Sequence, residues 1–254
     1  MESISSELEQ VFCHKFMGLI WRIIINEEIE YIAIENRELT SKKVSISVLN
    51  YKTGKFHFKE KIFAEPLHAN LAYASPKSII IKLNEHSENI ESKGLIAVDI
   101  YSGEIMWEHY NLSVNDVNSN GIQVFDPKIF PRKYFWIDHL KGELIPNPEI
   151  IKNEISHLLF PKMESSDIIP KSIIHGVIQG EVFFMNFNEK NLISFHEIFE
   201  STMQQRLIVY QGDKILLDNI LVNDIQKLQP ESFFILNKQL FYIRNKDEFV
   251  SYFV

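Results

Sequence analysis

The sequence predicts an all-β protein built from about five small antiparallel sheets. Three observations carry this. Isoleucine occurs 37 times and alanine 6 times. A branched Cβ suits a pleated strand, whereas alanine is the best helix former. Short apolar runs recur along the whole chain, at 19–25, 31–34, 44–49, 79–83, 95–100, 134–137, 182–187, 207–210 and 240–243, separated by polar turns. Finally, a motif repeats. The segment from Val48 to Phe58 aligns with Ala97 to Trp107 at an offset of 49 residues, placing Asn50 on Asp99, Gly54 on Gly103 and Phe58 on Trp107.

A third copy, Ile137 to Ile145, brings Asp138 and Gly142 to the same positions; a weaker fourth, Ile208 to Leu217, lacks the acid. The unit has a local logic. The acid or amide ends a strand and accepts hydrogen bonds from N–H groups in the turn. Glycine supplies a positive φ that a side chain opposes. The aromatic then returns to the core on the next strand. Successive glycines lie 49, 39 and 70 residues apart, and four-stranded propeller blades repeat at roughly 40–50 residues. The expected fold is a β-propeller of about five blades in one domain, 1–254.

The blades are placed at Phe16 to Phe63, Ala64 to Tyr110, Asn111 to Asn147 and Pro170 to Val222, with a fifth from about Asn223. The fifth runs out of chain at Val254 after two or three strands. An N-terminal strand within Leu8 to Phe16 is expected to complete it, which also covers an open edge. One short inserted helix is expected at about 148–160. Asn147 is a capping residue, Pro148 takes the first helical position, and apolar residues follow at 150, 151, 155, 158 and 159.

Leu95-Ile-Ala-Val-Asp-Ile-Tyr-Ser-Gly-Glu-Ile-Met-Trp107 resembles the outer hairpin of quinoprotein-like and WD-repeat-like propellers. Together with Gly18-Leu-Ile-Trp21-Arg22, the same unit makes the chain similar to a family of uncharacterised bacterial proteins defined by a domain of unknown function. The resemblance implies a fold and no activity. A quinone-cofactor enzyme is not expected, because the likeness covers only the structural hairpin.

Composition narrows the function. Twenty-six basic against thirty-four acidic residues give a net charge of −8. Phosphate binding along a nucleic acid needs clustered Lys and Arg, so no nucleic-acid partner is expected. Cys13 is the single cysteine, which excludes an internal disulfide and suits a reducing compartment. No apolar run approaches the roughly 20 residues of a membrane helix, and the acidic start does not read as a secretory signal. A cytoplasmic protein without a membrane partner is expected.

No catalytic motif is complete. Asp116, Asn118 and Asn120 with Gly121 match the opening of a calcium loop, but Pro127 stands where a bidentate Glu is needed. The segment reads instead as an Asn-Gly hairpin turn, and no metal is expected. His196-Glu197-Ile-Phe-Glu200 lacks the second His of a zinc-protease motif and reads as an exposed polar turn. Gly176 to Gly180 lacks the Gly-Lys-Ser/Thr ending of a phosphate loop. Asn50, Gly54, Asp99, Gly103, Trp107, Asp138 and Gly142 are assigned to the structural repeat. The candidate binding residues are those on the first strands of blades one and two: Arg22, His68 and Asn70. Trp21 is expected to pack between blades. The function expected is a non-catalytic binding or scaffold module with a protein partner and no cofactor. The alternative is a glycoside-active or other hydrolytic propeller enzyme, which needs paired carboxylates facing one cleft.

Overall fold

The computed structural model describes residues 7–63, 69–84, 94–148, 156–230 and 232–254. Among the described residues, regular structure opens with β1 (Gln10–Lys15). A first meander follows: β2 (Leu19–Asn26), β3 (Tyr31–Glu38), β4 (Lys43–Asn50) and β5 (Phe56–Lys61). A second comprises β6 (Ala69–Ala74), β7 (Ser78–Leu83), β8 (Gly94–Asp99) and β9 (Ile105–His109). A third comprises β10 (Ser113–Asn118), β11 (Gly121–Phe125), β12 (Phe135–Ile137) and β13 (Leu144–Ile145). Next come β14 (Leu158–Leu159) and β15 (Lys162–Glu164), then the long strands β16 (Val177–Phe187), β17 (Lys190–Phe199), β18 (Thr202–Gln211) and β19 (Lys214–Val222). The chain ends with β20 (Phe233–Leu236), β21 (Gln239–Arg244) and β22 (Glu248–Phe253). The fold is all-β and propeller-like, as expected; every sheet is antiparallel, and four of the five follow chain order.

The chain divides into two compact units. One is the continuous segment Phe16–Ser156; the other joins the chain up to Lys15 to His157–Val254. In the continuous unit, three four-stranded sheets follow chain order. Strand alternation sorts their isoleucine runs between two cores. Ile79, Ile81, Ile96 and Val98 face Tyr31, Val44, Ile46 and Val48 of the first sheet. Their neighbours Ile80, Leu95 and Ala97 face Ile122, Val124 and Ile137 of the third. Successive side chains on a strand point to opposite faces. An uninterrupted apolar run is therefore what a sheet buried on both faces requires.

The discontinuous unit holds two five-stranded sheets, ordered β15-β16-β17-β18-β19 and β1-β22-β21-β20-β14. The N-terminal strand completes the last sheet, as expected: Phe12, Cys13 and His14 stand opposite Ser251, Val250 and Phe249. Leu207, Val209 and Leu217 of one sheet pack on Phe233, Leu240 and Tyr242 of the other. On their other face, Ile193, Phe195 and Ile208 are covered by Ile169 and Ile173.

Only the end of the inserted helix expected at about 148–160 requires correction. Residues 149–155 lie outside the described residues. At the end of the expected helix, Leu158 and Leu159 form an edge strand opposite Leu236 and Ile235. Three residues on, Lys162–Glu164 pairs with Phe184, Phe183 and Val182. Two sheet edges thus take up residues 158–159 and 162–164 in turn.

Candidate functional site

The repeat residues form turns that are closed on themselves. Asn50 Oδ1 accepts the Thr53 N–H at 3.1 Å. Asp99 Oδ1 accepts the Tyr101 and Ser102 N–H groups at 3.0 and 2.8 Å. Asp138 Oδ1 accepts those of Leu140 and Lys141 at 2.8 and 2.6 Å. Gly54, Gly103 and Gly142 then return an N–H to the carbonyls of Asn50, Asp99 and Asp138, with φ of 71°, 68° and 67°. Burial pushes the Asp99 carboxyl up, but the bonds from Ser102 and Tyr101 outweigh it and hold the group below its ordinary value. These acids are occupied in the fold and are not free for acid–base work. The fourth copy differs: Gly212 and Asp213 form a two-residue hairpin between the paired Gln211 and Lys214.

The same units join one sheet to the next. Trp107 Nε1 donates to the His139 carbonyl at 3.1 Å, and a Cβ on Gly142 would stand 2.7 Å from Trp107 Cδ2. One joint earlier, Phe58 Cδ1 stands 2.9 Å from the Cβ position of Gly103. His57 Nδ1 lies 3.1 Å from the Ile100 carbonyl. Ile100 and His139 each follow the turn acid, so one acceptor serves both joints with two different donors.

A polar cluster lies where the first strands of sheets one and two meet. In β2 the register shifts between Ile20, opposite Asn36, and Arg22, opposite Glu35. Trp21 is therefore the extra residue of a bulge, which re-aims the side chains around it. Trp21 does not pack between sheets as expected. It is 56% exposed, with the Arg37 guanidinium 4.4 Å from its ring centre. Arg37 donates to the fully buried Glu35 at 2.7 Å and to Asn70 Oδ1 at 2.7 Å. Glu35 Oε2 accepts the Leu71 N–H at 2.8 Å, and Arg22 Nη1 donates to the Leu71 carbonyl at 2.7 Å. Lys82 stands opposite Asn70 in the ladder. Burial, and then the Arg22 charge, hold its ammonium below the ordinary lysine value. Two of the three candidate binding residues, Arg22 and Asn70, thus meet in one cluster. His68 lies outside the described residues. Sequence reasoning missed Glu35, Arg37 and Lys82. The visible signal was Glu35-Asn-Arg37 ending an apolar strand.

A second network closes on itself in the other unit. Glu197 Oε1 accepts from Gln204 and Arg206, both at 2.9 Å, and its Oε2 accepts the Gly176 N–H at 2.9 Å. Arg206 also grips Asp218 at 3.2 and 2.6 Å. Burial works to raise the Glu197 carboxyl, and the bonds from Gln204, Arg206 and Gly176 reverse it, holding the group below its usual range. The expected exposed turn at 196–200 is corrected. His196 and Glu197 are buried in β17, and Glu200, with φ of 47°, opens the turn after it.

The calcium-like segment is a hairpin turn, as expected. Asn118 Oδ1 accepts the N–H groups of Asn120 and Gly121 at 2.9 and 3.1 Å. Asp116 Oδ1 accepts that of Val117 at 2.9 Å. Among the described residues no group of three His, Cys, Asp or Glu side chains could hold a metal ion. No helix among them is long and apolar enough to cross a membrane.

No curated protein matches the sequence. Among solved structures, BamB from Moraxella catarrhalis aligns at 10% identity and a TM-score of 0.36, over 97% of this chain and 100% of that one. The β-propeller domain of Cps50 (Swd1) from Myceliophteria thermophila aligns at 6% identity and a TM-score of 0.32, over 97% and 99%. Over residues 25–107, from the end of β2 to Trp107, the chain is similar to the family described as a domain of unknown function, DUF4905.

Proposed function

We propose that this chain is a non-catalytic binding module that presents the Trp21–Arg22–Asn70 cluster to a protein partner in the cytoplasm. The carrying observation is how its polar groups are used. The turn acids are consumed by backbone N–H groups, and Glu197 and Asp218 are consumed by Arg206. Arg22 and Trp21 are exposed instead. An exposed Trp beside an Arg is the pairing that dominates binding hot spots. The single cysteine, Cys13, supports a reducing compartment.

A glycoside-active enzyme needs two carboxylates open to a cleft. Glu197 and Asp218 do converge, but on a guanidinium, with side-chain exposures of 0% and 8%. Their geometry favours the binding reading.

The test is affinity capture from a native lysate with the full chain and with Trp21→Ala/Arg22→Glu. A protein retained reproducibly by the first and lost with the second is the expected result. Retention unaffected by the double substitution, or no reproducible partner at all, counts against the proposal.

A further inference from the structure

Among the described residues the cluster holds more positive than negative charge. Three cations, Arg22, Arg37 and Lys82, surround Asn70, and Glu35 is the carboxylate among them. Glu35 is taken up by Arg37 and the Leu71 N–H. Among the described residues, Arg22 and Lys82 have no ion-pair partner, and the Lys82 ammonium feels the Arg22 charge. Two like charges held close without a counter-ion oppose folding. Such a local conflict is characteristic of a site kept for function.

The donors are also arranged for a ligand. Arg22 commits one of its N–H groups to the Leu71 carbonyl, which fixes the guanidinium while leaving donors over. Asn70 gives its oxygen to Arg37, which leaves its NH₂ as a donor. Lys82 stands across the ladder from it.

We infer that Arg22, Asn70 and Lys82 form a binding site for an oxyanion, the carboxylate or phosphate group of a ligand. The inference rests on reading the chain as a binding module and names the chemistry of that site. A guanidinium, an ammonium and an amide NH₂ offer donors alone, and an oxyanion supplies acceptors for all three together with a negative charge. The half-exposed Trp21 beside Arg22 gives the site an optical reporter.

The experiment titrates the full chain with inorganic phosphate and, separately, with succinate at constant ionic strength, following tryptophan fluorescence and heat of binding. Saturable binding of at least one anion is expected, and the stronger of the two identifies the preferred group. Arg22→Gln and Lys82→Gln should each weaken it by roughly tenfold or more, as loss of a charge-assisted bond requires. Asn70→Asp, which places a carboxylate in the site, should abolish it. Lys128→Gln, in an exposed turn, should leave it unchanged, and thermal midpoints establish that each variant is folded. For a folded site variant, unchanged affinity overturns the inference. So does the absence of saturable binding of both anions to the unmodified chain. Either result leaves protein capture by the Trp21 surface standing, so the two readings fail separately.

Discussion

Trp107 fills the space that a side chain at residue 142 would need. Its Cδ2 atom stands 2.7 Å from the Cβ position of Gly142, while its Nε1 donates to the His139 carbonyl. The turn of one sheet is thus shaped by the aromatic of the sheet before it, and Phe58 stands in the same relation to Gly103.

This relation predicts the ranking of glycine substitutions. Gly142→Ala meets both a positive φ and the indole, and Gly103→Ala meets a positive φ and the Phe58 ring. Strain and overpacking should together cost about 2–4 kcal/mol. Gly212 also has a positive φ, of 56°, but nothing lies within 4 Å of its Cβ position. Gly212→Ala should cost about 1 kcal/mol, the conformational part alone. Urea denaturation of the three variants measures the difference, and equal losses would contradict the role of the rings.

Arg206→Met should be among the most damaging single changes. It leaves Glu197 and Asp218 buried and charged without their shared partner, at about 3–5 kcal/mol. The deficit should shrink near pH 4–5, because acid neutralises the stranded Glu197 carboxylate, which has lost the Arg206 charge that helped hold it ionised. Unfolding curves at pH 7 and pH 4.5 would expose this. A deficit independent of pH argues that packing, not charge, is lost.

Acidification should weaken the protein through His196. Burial holds this imidazole below its ordinary value, and its Nε2 accepts the Gln229 N–H at 3.0 Å. Protonation removes that acceptor. Between its folded and unfolded values the unfolded chain binds the extra proton. The contribution is therefore complete above about pH 6.5 and declines as the pH falls below it. His196→Gln keeps an acceptor and cannot titrate, so its melting temperature should change less between pH 7.5 and 5.5. A slope identical to that of the unmodified chain would place the effect elsewhere.

Removal of residues 1–15 should cause aggregation. β1 covers the edge of β22, and Phe12, 6% exposed, packs against Phe241 and Phe249. Without it, the last sheet presents an unpaired apolar edge. Light scattering and size-exclusion chromatography of the shortened chain test this. A folded, soluble monomer would show that β1 is dispensable.

The sheets of the continuous unit were legible in the sequence because their outer hairpins share one chemistry. Asp or Asn caps the turn, glycine closes it, and an aromatic follows. In the other unit that signal fades, because the turns use a different device. Asn188–Glu189, Glu200–Ser201, Asn237–Lys238 and Asn245–Lys246 all carry positive φ at both positions without glycine. Pairing holds these residues in a conformation that their own preferences do not announce. The candidate site was half legible for a related reason. Arg22 and Asn70 stand out at the starts of two strands, and their position in a repeat brought them together on paper. Glu35 and Arg37 sit on a central strand, where alternation and a bulge decide which neighbour each one meets. Lys82 is linked to them only through the pairing of β6 with β7.

The division into one continuous and one discontinuous unit sets an order of events during synthesis. Phe16–Ser156 has all its strands in hand once its own segment has emerged from the ribosome. β1 has emerged before them and has no partner until β22 (Glu248–Phe253) arrives. At roughly 5–20 residues per second, translation keeps Phe12 and its neighbours waiting for about 12–50 s. β1 is thus made well before the strand it pairs with, and for that interval its protection falls to whatever binds nascent chains.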